Sequence, residues 1–336
     1  MTKSITQSTF CEEDETYELP LRPQALDEFV GQDSLRERLE ILIHAAKQRR
    51  EPLGHCLFTG PPGLGKTTLA NILGKAMGTQ VVVTSGPAIE KPGDLAGILT
   101  QLQEGDILFI DEIHQLSRTI EEYLYPAMED FSLDLVLDSG PNARSVQMKL
   151  NQFTLAGATT RSGLLTGPLR SRFAFSCRLE YYSAEHLALI ARRTARLLNV
   201  DVTPEGALEI AKRARGTPRI VNHLLRWVRD FAQIKERSPI DAATAHAALE
   251  MLAIDHQGLD ELDIKLLKTV IDHYGGGPVG VSTLSVAVGE EPSTIEDVVE
   301  PYLINIGFIK RTPRGRIATH LAHQHLDKFI VKGADS

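Results

Sequence analysis

Cysteine is scarce: the 336 residues hold three, Cys11, Cys56 and Cys177, far apart and without a CxxC pair. That argues against a disulfide framework or a cysteine-built zinc site and fits a reduced, cytoplasmic protein. Long apolar runs are missing as well, and none approaches the ~20 residues that a membrane helix needs. Positive charge is in deficit. The formal net charge of −8 excludes a generally basic nucleic-acid coat, so any such contact must come from a local patch. Residues 1–18 lack an apolar core and carry Glu12, Glu13, Asp14 and Glu15, which reads as a flexible tail and not a signal peptide. What is present is an ordinary globular composition, over a length that suits two or three domains.

The strongest local signal is Gly60-Pro-Pro-Gly-Leu-Gly65-Lys66-Thr67, which fits GxxxxGK[ST]. Gly63 and Gly65 let backbone N–H groups turn toward a phosphate, and the helix that follows offers its positive end to the same point. Lys66 would reach the β- and γ-phosphates of a nucleotide, and Thr67 would place a hydroxyl on Mg²⁺. A Gly-Pro turn before an ordinary helix is the bland alternative. Against it, the strand-like stretch Cys56 to Thr59 precedes the pattern, and Leu69, Ile72, Leu73, Ala76 and Met77 follow at helical spacing.

Upstream, Leu19 to Gln24 reads as extended, and Leu35, Leu39, Leu42 and Ala46 mark an amphipathic helix. Downstream, Val81 to Thr84 is a short β-branched strand. Ile107 to Ile110 is a continuous apolar run ending at Asp111-Glu112, the form of a buried parallel strand with two carboxylates at its tip. There Asp111 would hold Mg²⁺ through water and Glu112 would polarise the attacking water; helix capping is the alternative. Ser117 can cap a helix carrying Ile120, Leu124, Ala127 and Met128. Residues 131–150 alternate around Ser139 to Asn142 as a β-hairpin, serving either as extra core strands or as a projecting dock for another protein. Phe153 to Ala158 is a further buried strand ending in Thr159-Thr160, and Arg170 and Arg172 follow on a short segment. An arginine given to a neighbour's γ-phosphate is a strong catalytic device, though a surface arginine is commoner.

From Ser183 the pattern is helical, with caps expected at Ser183, Thr203 and Thr217, and with Trp227 beside Ile220, Leu224 and Phe231 in a core. Arg219 falls in the first turn after Pro218. Residues 257–325 read as helix, helix, helix and β-hairpin, with caps at Ser282 and Ser293. That is the order of a winged helix. Lys310 to Arg316 holds four cations and no acid, suited to phosphate contact. His320, His323 and His325 have no cysteine or carboxylate at ligand spacing and make a weak metal candidate.

Taken in order, these motifs resemble the AAA+ ATPases. Leu21-Arg22-Pro23, Phe29 to Gln32, Ser85 to Ala88, Lys91 to Asp94, Ile110 to His114, Tyr125 to Asp130, Gly157 to Arg161, Arg215 to Arg219 and Arg311 to Arg316 resemble the RuvB family within them, over about residues 19–330. The resemblance implies an α/β fold in three parts after the 1–18 tail: a large P-loop domain with a parallel sheet over 19–182, a small helical lid over 183–256 and a winged helix over 257–336. It implies an ATP- and Mg²⁺-dependent motor, a homohexameric ring on duplex DNA at four-way junctions, docked to RuvA through the 131–150 hairpin, with RuvC in the same complex and no membrane. Residue by residue it implies nucleotide contact by Leu21, Arg22, Gly63, Gly65, Lys66, Thr67, Thr68, Glu129, Asp130, Phe131, Tyr182 and Arg219. Thr160, or Thr159, would be the first sensor, and Arg172 the finger that acts in the adjacent subunit. Val146 and Met148 would face RuvA, and Arg311, Arg314 and Arg316 would face DNA. Pro292 and Ala174 depart from the family pattern. An ATP-switched loader without translocation and a nucleotide-sensing regulator are the rival functions.

Overall fold

The computed structural model describes residues 19–136 and 145–333. The expected tail and the expected hairpin turn, Ser139 to Asn142, lie outside them. The chain divides into two compact units between Tyr182 and Ser183.

The first unit is built on a five-stranded sheet in the order β2-β3-β6-β1-β7, with every pairing parallel. Its strands are β1 (Cys56–Thr59), β2 (Val81–Ser85), β3 (Ile107–Asp111), β6 (Thr154–Thr159) and β7 (Phe175–Arg178). Strand β3 is apolar at four successive positions because helices or loops cover both faces, and all four are buried. Strand β6 lies between β1 and β3, so the end of the phosphate loop, the Asp-Glu pair and Thr159-Thr160 come out along one edge. Helix α1 (Asp33–Arg49) precedes the first strand, and α2 (Lys66–Met77), α3 (Pro92–Leu99), α4 (Arg118–Glu129) and α5 (Gly167–Ser171) lie in the connections between the strands. In α1 the buried stripe is Leu35, Leu39, Ile43 and Ala46, with Ile43 taking the place expected for Leu42. Strand β7 has no counterpart in the sequence reading. It is four residues long with one fully buried side chain, Cys177, too little for a period to show.

The hairpin pairs β4 (Ser132–Val136) with β5 (Ser145–Lys149), Leu133 opposite Met148 and Leu135 opposite Val146. Leu133 is fully buried in the main core with Leu124, Met128 and Phe153, so the base of the hairpin is core. Met148 is half-buried beside it.

In the second unit α6 (Ala184–Leu197), α7 (Pro204–Lys212), α8 (Pro218–Ile234) and α9 (Ala242–Glu250) form a bundle. Ser183, Thr203 and Asp241 cap their helices through side-chain oxygens. Thr217 does not: its hydroxyl donates to the Arg215 carbonyl at 3.2 Å. Trp227 is half-buried, its indole N–H donating to the Ala248 carbonyl at 2.8 Å.

The winged part packs Leu266, Leu284, Ile295, Leu303, Ile309 and Leu326 into a second core. Helix α10 (Glu261–Lys268) runs on through a wider turn at Thr269–His273. Helix α11 (Val281–Val288) follows, then a third helix that passes through another wide turn, Ile295–Val299, into α12 (Glu300–Asn305). Neither Ser282 nor Ser293 caps, since Gly280 and Glu291 hold those positions. The wing is β8 (Ile309–Thr312) against β9 (Gly315–Ala318), and α13 (His320–Gly333) closes the fold.

Candidate nucleotide site and wing

The phosphate loop takes its shape from glycine. Gly60, Gly63 and Gly65 have φ of 137°, 76° and 102°, conformations that side chains oppose. At Gly60 an added Cβ would also meet the Leu179 carbonyl oxygen at 2.5 Å. Lys66, buried at the start of α2, donates to the Gly60 and Pro61 carbonyls, both at 2.9 Å, so its ammonium lies across the loop. Thr67 is half-buried and Thr68 buried. Phe29 packs against Gly65, and the Tyr182 hydroxyl donates to the Leu64 carbonyl at 3.3 Å. Burial pushes the Tyr182 phenol well above its usual range, so it stays a neutral donor. Leu21 is buried and Arg22 half-buried ahead of this loop.

At the tip of β3, Asp111 accepts the Glu112 N–H at 2.9 Å. Glu112 itself has φ of 46°, which turns its side chain back along the strand ends. Its carboxylate accepts the Thr160 hydroxyl at 3.1 Å and lies 3.1 Å from His114 Nδ1. Burial alone would raise its pKa. Hydrogen bonds from His114 and the Thr160 N–H, with the Lys66 charge, outweigh that and hold it below the ordinary glutamate value. Thr159 is engaged differently, its hydroxyl 2.9 Å from His114 Nδ1 and accepting the Arg161 N–H. Of the two sensor candidates, Thr160 is the one bonded to Glu112. His114 was present in the motif but without a role in the sequence reading; standing two residues from Glu112 was its only signal.

Arg172 ends α5. Its guanidinium lies 4.3 Å over the Tyr125 ring, donates to Glu129 at 3.1 Å and to the Pro168 carbonyl at 2.8 Å. Glu129 is exposed, Asp130 caps the end of α4, and Phe131 packs edge-on against Phe153. Phe131 is therefore tied to the core as well as adjacent to that segment. Arg219 sits half-buried in the first turn of α8.

The wing separates its cations. Lys310, Arg311 and Arg314 are exposed. Arg316, expected to face DNA, is instead buried: its guanidinium bonds both carboxylate oxygens of Glu300 and reaches Glu296 at 2.8 Å. Direct pairing of Arg311 with Arg316 puts both on one face, and the buried carboxylate of Glu300 draws the inner one down. Of the residues expected to face RuvA, the Val146 side chain lies outside the described set. His325, from the trio weighed as a metal candidate, bonds Asp255 at 2.6 Å.

Three family models match in series: the Holliday junction DNA helicase RuvB P-loop domain over residues 21–179, the RuvB AAA lid domain over 182–255 and the RuvB C-terminal winged helix domain over 256–327. The Holliday junction branch migration complex subunit RuvB of Protochlamydia amoebophila is 66% identical over 326 residues, 97% of this chain and 98% of its own. That of Chlamydia pneumoniae is 59% identical, covering 94% of each. Among solved structures, the Thermotoga maritima RuvB Holliday junction branch migration motor superposes with a TM-score of 0.84 at 48% identity, covering 92% of this chain and 98% of that one. The glycine-shaped loop, the Asp111-Glu112 tip and the three domains in their order thus have one common explanation: the chain belongs to the RuvB family of P-loop ATPases.

Proposed function

We propose that this protein hydrolyses ATP to drive branch migration of Holliday junctions, as a homohexameric ring on duplex DNA with RuvA docked at the 131–150 hairpin and RuvC in the same complex. The observation that carries the reading is a glycine-shaped phosphate loop with the Asp111-Glu112 strand tip joined, in one chain, to an exposed cationic wing tip at Lys310, Arg311 and Arg314.

Within the site, Lys66 would exchange the Gly60 and Pro61 carbonyls for phosphate oxygens, and the N–H groups of the loop would cradle the phosphates. The Thr67 hydroxyl and the Asp111 carboxylate form an all-oxygen set of the kind a hard divalent cation accepts. Mg²⁺ bound there would neutralise charge developing on the phosphates. Glu112, kept ionised by His114 and Thr160, orients and polarises the attacking water, and Thr160 links its position to the β6 tip. Arg172 stabilises charge on ATP in the adjacent subunit.

The test is ATP-driven dissociation of a synthetic four-way junction, with and without RuvA. Dissociation is expected with RuvA and ATP, and not with a non-hydrolysable analogue. Robust ATP turnover without junction movement would overturn the motor reading in favour of a loader.

A further inference from the structure

Arg172 reaches its task from an unusual setting. A free arginine at the end of a five-residue helix would sample many rotamers, and a charge delivered across a subunit boundary depends on arriving in one of them. Here the guanidinium carbon lies over the Tyr125 ring, 4.3 Å from its centroid, with Glu129 and the Pro168 carbonyl holding Nη2 and Nη1. The cation–π contact holds the charge against the ring face and the two hydrogen bonds fix how the guanidinium is turned there.

The ring that does this is itself locked. The Tyr125 hydroxyl donates to Glu121 at 2.9 Å and lies 3.2 Å from the Thr166 hydroxyl. Thr166 donates to the same Glu121 oxygen at 2.6 Å and also caps α5 by accepting the Leu169 N–H. Glu121 is 4% exposed, so its carboxylate is a buried acceptor answered by two hydroxyl donors, a costly group to keep unless it fixes something. What it fixes is the register between α4, which carries Tyr125 and Glu129, and α5, which carries Arg172.

We propose that Tyr125 is a positioning residue for trans catalysis, a platform locked by Glu121 and Thr166 that aims Arg172 at the neighbouring subunit's nucleotide. The inference rests on the reading of Arg172 as a finger that acts in trans. It is distinct from that reading, because Arg172 could act without a dedicated platform.

Tyr125→Leu removes the platform, and Tyr125→Phe keeps the ring while freeing it from Glu121. Steady-state ATP turnover in assembled rings should fall on the order of tenfold or more for Tyr125→Leu, in kcat with KM for ATP unchanged, and by less for Tyr125→Phe. Adding Tyr125→Leu to Arg172→Ala should cost nothing further. Mixed rings of Tyr125→Leu and Glu112→Gln subunits should exceed the average of the two separate preparations, because an intact finger then meets an intact Glu112. Arg172→Ala run alone separates the two ideas: if it leaves turnover unchanged, the finger reading fails. If Arg172→Ala abolishes turnover while Tyr125→Leu stays within twofold of wild type, shifts KM alone or gives no gain in mixed rings, the platform is wrong. Tyr125→Phe, with its unfolding midpoint measured alongside, keeps the test open should the leucine variant fold poorly.

Discussion

Glu112 is the residue to which we assign activation of the attacking water, and its placement is built from constraints that act on single atoms. Its φ of 46° lies in a region that costs a non-glycine residue ~1–3 kcal/mol, a strain typical of functional positions. Gly86 makes room for that turn, since a Cβ there would sit 2.5 Å from the Glu112 carbonyl oxygen. With its pKa held below the ordinary glutamate value, the carboxylate is ionised throughout the neutral range. Turnover should therefore show no acid limb from this group between pH 6 and 8, and any loss should begin only as the pH falls below the usual glutamate range. Glu112→Gln keeps the shape but cannot take up the water's proton. Its kcat should drop by about 10²–10⁴-fold with ATP affinity within a few-fold of wild type, measured by single-turnover hydrolysis and nucleotide titration. A Glu112→Gln kcat within a few-fold of wild type would contradict the assignment. The pair Asp111-Glu112 was legible in sequence because an apolar run stops at it. His114 was not, because its approach to Glu112 depends on a left-handed turn that no pattern announces.

At the scale of elements, strands and helices of strong period were readable: β1, β3, β6, α4 and α6 stand where the apolar spacing put them. The pieces that escaped are those in which local signal and tertiary role part company. Strand β7 has four residues and gains its place by pairing with β1. In the wing, the sequence shows four cations in seven residues, but composition cannot say which of them point outward. Arg316 lies in a buried pair with Glu300, whose side chain is 2% exposed, while Arg311 is 59% exposed. Removing one partner of a buried pair strands the other charge and typically costs ~3–5 kcal/mol. Arg316→Ala should accordingly lower the unfolding midpoint markedly. Arg311→Ala and Arg314→Ala should leave it nearly unchanged and weaken binding to unrelated duplexes alike, each reducing the salt dependence by about one counterion. Equal thermal loss in all three variants, read by calorimetry, would show that the wing is not divided in this way.

In the motor we propose, ATP turnover in one region would become force on DNA held by another, and within the unit that begins at Ser183 the path from lid to wing is welded by buried polar groups. Arg215, in the turn between α7 and α8, donates to both carboxylate oxygens of Asp263 at 2.8 and 3.3 Å and lies 4.6 Å over Tyr302. Asp263 also accepts the Asp260 N–H at 3.0 Å, so the same carboxylate starts α10 and anchors the lid. Tyr302 donates to the Gln257 carbonyl at 2.6 Å, and His325 meets Asp255 at 2.6 Å. An apolar seam of equal area would slide at less cost; a paired charge with fixed geometry resists shear because any displacement leaves it desolvated and unpaired. Arg215→Ala leaves Asp263, whose side chain is 1% exposed, without its cation and should destabilise this unit by about 3–5 kcal/mol. Arg215→Met with Asp263→Asn removes both charges and should recover much of that stability without restoring the fixed geometry. With junction dissociation and ATP consumption measured together, the double variant should hydrolyse ATP near the wild-type rate yet move fewer junctions per ATP. If it moves junctions with undiminished efficiency, force does not run through this weld.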